Sequence, residues 1–253
     1  SGAGYFIGGI FLIFLTTNQG FWKTFEKAFD DMGIADAWNH VIATVVQPGV
    51  EEKDAGCEEY DRERAKDLMA SIKDFDKLVF EGHSTDYQTK YKLRELVEDG
   101  VGILKVGPGL TYAAREGIFS LCMIEEELAA VYGFETSHFR EELDKAMLAN
   151  PGKWAPYYHG TENEIAFKRK YSFSDRCRYY LPQENVKNAL AKLLANLKEH
   201  PVPLPLLSQY MPFQYTLVRE GKLNNTPEDL IKARVMYTIE EYTYASHQEE
   251  LVR

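Results

Sequence analysis

The sequence predicts an α/β fold of strand–helix units around a parallel sheet, and three short segments predict it. Val41–Glu51 (VIATVVQPGVE), Leu78–Gln88 (LVFEGHSTDYQ) and Ile103–Glu116 (ILKVGPGLTYAARE) each run from an apolar stretch into a polar turn with Gly or Pro. Helical patterns alternate with them, and that alternation implies βαβ crossovers. In parallel α/β architectures the C-terminal strand ends assemble the chemical site. Gln47, Glu81, His83, Asp86 and Lys105 fall at such ends, which points to a barrel that handles a phosphosugar.

Taken in order, Tyr5–Leu15 (YFIGGIFLIFL) is an apolar run of 11 residues, too short to span a bilayer. No basic residue precedes it and no small-residue cleavage signal follows, so it reads as a buried strand or as a foreign N-terminus rather than a signal peptide. Phe21–Met32 places Phe21, Phe25, Phe29 and Met32 on one helical face and stops at Gly33. Val41–Val46 is the first regular strand. Tyr60–Ile72 is a charged helix whose buried side is Ala65, Leu68, Met69 and Ile72. Leu78–Phe80, Lys90–Val97, Ile103–Val106 and Thr111–Glu127 continue the strand–helix alternation.

Beyond about Val131 strand patterns cease. Phe139–Met147, Val186–Lys198 and Pro227–Tyr244 read as helices, the last with Thr226 as cap, Pro227 at its first position and acids at 228 and 229. Pro201–Pro212 (PVPLPLLSQYMP) reads as an extended segment packed on helices, or as a polyproline ligand for a partner domain. The expected organisation is an atypical N-terminus over 1–17, partial (β/α) units over 18–130 and a helical extension over 131–253.

The composition narrows the function. A net charge of −10 disfavours a nucleic-acid footprint and an anionic membrane surface. Cys57, Cys122 and Cys177 are odd in number and form no CxxC pair, which fits reduced thiols in a cytoplasmic protein.

Lys105 is the most informative single residue. Alternation in ILKVG puts it on one strand face with Ile103. A buried ammonium needs a partner, and Glu81 at the preceding strand end is the natural one. The pair reads either as a brace or as a carbonyl-directed catalytic group, with Asp86 as a further acid. His83 is the candidate ligand for a divalent metal such as zinc, or a proton carrier. Ser84 and Thr85 follow it in the same loop and are candidate substrate or phosphate contacts. Gly107-Pro108-Gly109 with Thr111 opens a helix where a phosphate could rest on free N–H groups, or is a plain tight turn. Arg176 and Arg178 lie among three tyrosines in YSFSDRCRYY (171–180); they could clamp a phosphate or pair with local acids. Ser172 with Asp175 has capping-box spacing.

These segments resemble the GatZ/KbaZ family, the non-catalytic subunit of class II D-tagatose-1,6-bisphosphate aldolase. The likeness runs from about Asn18 to the C-terminus. It is carried by VVQPGVE (45–51), EYDRE (59–63), LVFEGHSTDYQT (78–89), LVEDG (96–100), ILKVGPGLTYAARE (103–116), IEEEL (124–128), YYHG (157–160), RKYSFSDRCRYY (169–180) and PVPLPLLSQYMP (201–212).

The resemblance implies a TIM-type barrel with a helical C-terminal extension, of which this chain carries only the last three or so (β/α) units; family members begin with about five more strands. It implies an accessory role, chaperone-like, toward a catalytic aldolase subunit in galactitol, N-acetylgalactosamine or tagatose catabolism, within a lyase complex and an oligomer. Catalytic class II aldolases carry a metal-binding histidine before a YKPG-like turn, whereas VVQPG here follows Ala43 and Thr44; their HGGSG-like loop is EGHSTD here. His83 is then one ligand of an incomplete set. Some members are labelled tagatose-6-phosphate kinases, but no GxxxxGK[ST] loop occurs in the sequence. Two alternatives stand beside the accessory subunit: a metal-assisted ketohexose or ketohexose-phosphate 4-epimerase or aldolase using Glu81, His83, Asp86 and Lys105, and a truncated, inactive fragment.

Overall fold

A computed structural model describes residues 20–73 and 75–248; the apolar run Tyr5–Leu15 lies outside them. The chain divides into two units. One comprises residues up to Glu52, Gly56–Val106 and the segment from Glu241; the other comprises Lys53–Ala55 and Gly107–Glu240. The boundary expected near residue 130 therefore falls inside a helix.

The first unit is α/β. Its elements are α1 (Gly20–Asp31), α2 (Ala35–Trp38), β1 (Ala43–Val46), β2 (Glu51–Glu52), β3 (Cys57–Glu58), α3 (Arg62–Ser71), β4 (Val79–Gly82), α4 (Lys90–Glu98) and β5 (Val101–Leu104). Strands β1, β4 and β5 form a parallel sheet in the order β1-β4-β5, and β2 and β3 form a short antiparallel hairpin. The described residues hold no closed barrel.

Local chemistry starts each helix. Asp61 caps α3 by accepting from the Glu63 and Arg64 amides at 3.0 and 3.2 Å. Thr89 caps α4 by accepting from the Lys92 amide. Ala65, Leu68, Met69 and Ile72 are buried, as the helical spacing of α3 predicts, against Trp38, Tyr60, Phe80, Leu93 and Leu96. Gly102 on β5 is required by close approach: a Cβ there would stand 2.9 Å from the Val79 side chain.

The two sheet faces differ sharply. Register pairs Thr44 with Phe80 and Val46 with Gly82, and Phe80 with Val101; on this side Val46, Phe80 and Val101 are buried. On the other side register aligns Val45, Glu81 and Ile103, with Val79 on the same face of β4. There Val45 is 47% exposed, and Val79 and Ile103 are each 37% exposed. Among the described residues this face, apolar except for Glu81, lies open.

The second unit is helical: α5 (Pro108–Tyr132), α6 (Phe139–Ala149), α7 (Glu162–Tyr171), α8 (Glu184–Glu199), α9 (Leu204–Tyr210), α10 (Pro212–Arg219) and α11 (Pro227–Ala245), whose last turn belongs to the first unit. Its core joins Ile118, Leu121, Ile124, Phe139, Leu193, Leu197 and Leu207. Arg169 forks onto Asp144 at 2.7 and 3.0 Å.

Two sequence readings change here. Pro201–Pro212 is extended only over 201–203 and then forms α9, leading into α10 at Pro212. Pro205 and Pro212 sit in first helical turns, where a missing N–H breaks no bond, and Leu207 is buried. Ser172–Asp175 starts no α-helix: Ser172 closes α7, and Asp175 accepts from the Cys177 amide at the following 3-10 turn. Helix α7 was not foreseen, although Thr161 and Glu164 form a reciprocal capping box that its spacing would have revealed.

Candidate functional site

Parallel pairing carries the backbone past the ends of the strands. The His83 amide donates to the Val46 carbonyl at 2.8 Å and the Lys105 amide to the Gly82 carbonyl at 3.0 Å. These bonds set the loop Gly82–Tyr87 beside the ends of β1 and β5. Ser84 and Tyr87 both take left-handed backbone, with φ of 57 and 63°, an uncommon state for such residues.

Within that loop His83 Nε2 lies 2.7 Å from Glu81 Oε1, both side chains about a third exposed. Thr85 is fully buried and donates to the Lys105 carbonyl at 2.7 Å. Its hydroxyl also lies 3.1 Å from the Tyr242 hydroxyl, and Tyr242 donates to the Thr85 carbonyl at 3.1 Å. Burial pushes the Tyr242 phenol well above its ordinary range, so it stays a donor. Gln88, also buried, accepts from the Tyr60 amide at 2.9 Å and donates to the Glu58 carbonyl at 2.7 Å. The loop is thus held by side chains that fold it rather than face outward.

Glu52 and the buried Asp86 lie in the same unit, near enough for their charges to interact. Burial raises the Glu52 carboxyl, and the nearby Asp86 charge adds to the rise, while its own backbone and Ser84 bonds pull the other way. A carboxyl so placed holds its proton to higher pH than an exposed one.

The Lys105–Glu81 ion pair is not formed. β5 ends at Leu104, so Lys105 lies past the strand and is exposed; the Glu81 carboxylate is taken by His83 instead. Among the described residues no group of three or more His, Cys, Asp or Glu side chains could hold a metal ion. Those residues therefore do not by themselves make the zinc site expected at His83.

Of the substrate and phosphate candidates, Ser84 and Thr85 belong to the loop above, and Gly107, Gly109, Thr111, Arg176 and Arg178 belong to the helical unit. Gly107 caps α5, and Thr111 in its first turn donates to Asp175 at 3.1 Å and to the Pro108 carbonyl at 3.1 Å. A carboxylate thus already occupies one side of that turn. Arg176 stacks 3.5 Å from the Tyr157 ring centroid, and its Nε is buried with no hydrogen-bond partner. Arg178 reaches the Tyr179 hydroxyl at 3.0 Å, which lowers that phenol from its ordinary value. Ser172 donates to Asp54 at 2.7 Å, and Lys168 pairs with Asp54 at 2.8 Å.

An open parallel sheet with an acid–histidine pair at its strand ends, followed by a helical array, makes this an α/β protein. The chain belongs to the GatZ/KbaZ-like family, described as D-tagatose-1,6-bisphosphate aldolase subunit GatZ/KbaZ-like, which matches residues 14–247. It is also similar to the crystal structure of a probable tagatose 6 phosphate kinase from Sinorhizobium meliloti 1021, with 38% identity and a TM-score of 0.84. That likeness covers 89% of this chain and 58% of the other, so this chain spans little more than half of that relative's length. No helix among the described residues is long and apolar enough to cross a membrane.

Proposed function

We propose that the chain acts as an accessory, non-catalytic part of a class II D-tagatose-1,6-bisphosphate aldolase in carbohydrate catabolism, working in the cytoplasm beside a catalytic subunit. The observation that carries this reading is the open apolar face of β1-β4-β5. Val45, Val79 and Ile103 on that face have the character of a buried parallel sheet, so further (β/α) units or a partner chain belong over it. TIM-type closure of the sheet is the form this reading favours. Family membership supports the aldolase connection. Ala43 and Thr44, where the catalytic class II pattern has its histidine, and the folding role of Thr85 support a scaffold over a catalytic centre.

The test is reconstitution. The chain alone should leave tagatose-1,6-bisphosphate uncleaved with or without added zinc. Mixed with a catalytic class II subunit, it should lengthen that subunit's thermal half-life, since binding the folded state alone stabilises it. Chelator-sensitive turnover by the chain alone would instead favour the second reading, a ketohexose or ketohexose-phosphate epimerase or aldolase. What favours that rival is the 2.7 Å Glu81–His83 pair at a strand end, a geometry suited to proton transfer.

A further inference from the structure

Helix α5 carries an arginine with no evident structural counter-charge. Arg115 is only 2% exposed and is the largest fully buried side chain described. Its guanidinium lies 4.0 Å from the Tyr112 ring centroid, 5.0 Å from that of Phe119 and 5.7 Å from that of Tyr171. Nη2 is shielded from water and has no hydrogen-bond partner, and no described carboxylate forms an ion pair with Arg115. Glu116, the adjacent acid, is taken by Arg234 at 2.5 Å.

A guanidinium cannot shed its proton, and a buried charge normally has a partner. Aromatic faces offset part of that cost by cation–π attraction but leave donors unused. Arg115 also lines a cleft of ≈ 440 Å³ formed wholly within the helical unit, with Tyr112, Phe119, Tyr171, Ser120 and Gln214 among its other walls. That volume lies in the range of small-molecule sites, which pair apolar walls with few polar anchors. Gly117, also in the wall, lets α5 and α11 approach: a Cβ there would stand 3.3 Å from the Ile231 Cα. Glu116 Oε2 is ion-paired with Arg234 but accepts no hydrogen bond, and Arg115 hydrogen-bonds the Tyr112 side chain; Arg115 remains a cation of the wall with no ion pair among the described residues.

We propose that this cleft binds a small molecule in which an oxyanion, phosphate or carboxylate, is joined to a ring or sugar face. The oxyanion completes Arg115, and the ring packs on Tyr112 and Tyr171. The site stands on these residues alone, independent of the accessory-subunit reading.

Titration calorimetry on the whole chain tests it with a hexose 6-phosphate, a hexuronate and the unmodified hexose. Binding of either charged sugar, with at least tenfold weaker binding of the neutral one, is expected, and the tighter of the two tells phosphate from carboxylate. Arg115→Met should weaken that binding about tenfold or more, the loss of a charged hydrogen bond. Ser120→Phe, made at a partly exposed wall position, should fill the cleft and abolish binding without touching Arg115; it decides the matter where Arg115→Met does not fold. No binding of either charged sugar to the unaltered chain overturns the proposal. So does binding that Ser120→Phe leaves intact.

Discussion

Glu81 Oε1 and His83 Nε2 stand 2.7 Å apart at the end of β4, two residues of one strand end turned to each other rather than to Lys105. Both are about a third exposed, so the pair is a weak brace. His83→Ala should lower stability by under about 1 kcal/mol, read as a small shift in urea midpoint. A loss several times larger would show that the loop depends on this contact.

Tyr242 and Thr85 lie far apart in sequence yet share two contacts at 3.1 Å. Tyr242→Phe should cost about 1–2 kcal/mol, since the Thr85 carbonyl loses its donor in a buried place. Urea unfolding is the measurement, and an unchanged midpoint would mean that water replaces the phenol freely.

Glu52 gives a pH signature. Burial and then Asp86 raise its carboxyl above the ordinary 4.5, against the pull of its backbone and Ser84 bonds. The folded state therefore binds its proton more tightly than the unfolded state. The resulting stability is fully present below the unfolded value and is lost as pH rises through the folded one. Glu52→Gln should raise stability at pH 7 relative to the parent and bring little change at pH 4. Denaturation curves at the two pH values check it; a Gln variant less stable at pH 7 contradicts the sign.

The open sheet face predicts association. Val45, Val79 and Ile103 present apolar surface, and β1 and β5 have no further strand beside them among the described residues. Light scattering should find the chain self-associated when alone. Val45→Lys with Ile103→Lys should reduce that association, and a sharp monomer peak for the parent chain would count against the face as an interface.

Arg169 is 8% exposed and forks onto Asp144. Arg169→Met should cost about 3 kcal/mol because Asp144 keeps its charge without its partner. Thermal or urea melts read this directly, and a neutral result would mean that Asp144 regains water.

By itself the sequence determined what depends on neighbours a few residues away. The apolar spacing of α3 named Ala65, Leu68, Met69 and Ile72 as its buried side, and all four are buried. Thr226 before Pro227 marked the start of α11, and its hydroxyl accepts from the Asp229 amide at 3.3 Å. The strand–helix alternation stated a parallel sheet, and its three strands are parallel. Tertiary structure decided the rest. Whether Pro201–Pro212 stays extended turns on burying Leu207 in a helical core, which proline spacing does not record. Lys105 was assigned a partner by alternation, but pairing with β4 stops at Leu104, and the acid it was to meet is held by its own strand's histidine. Tyr242 on Thr85 and Tyr171 beside Arg115 are meetings of distant segments. Periodicity measures only how a residue sits on its own element, so such meetings leave no mark in it.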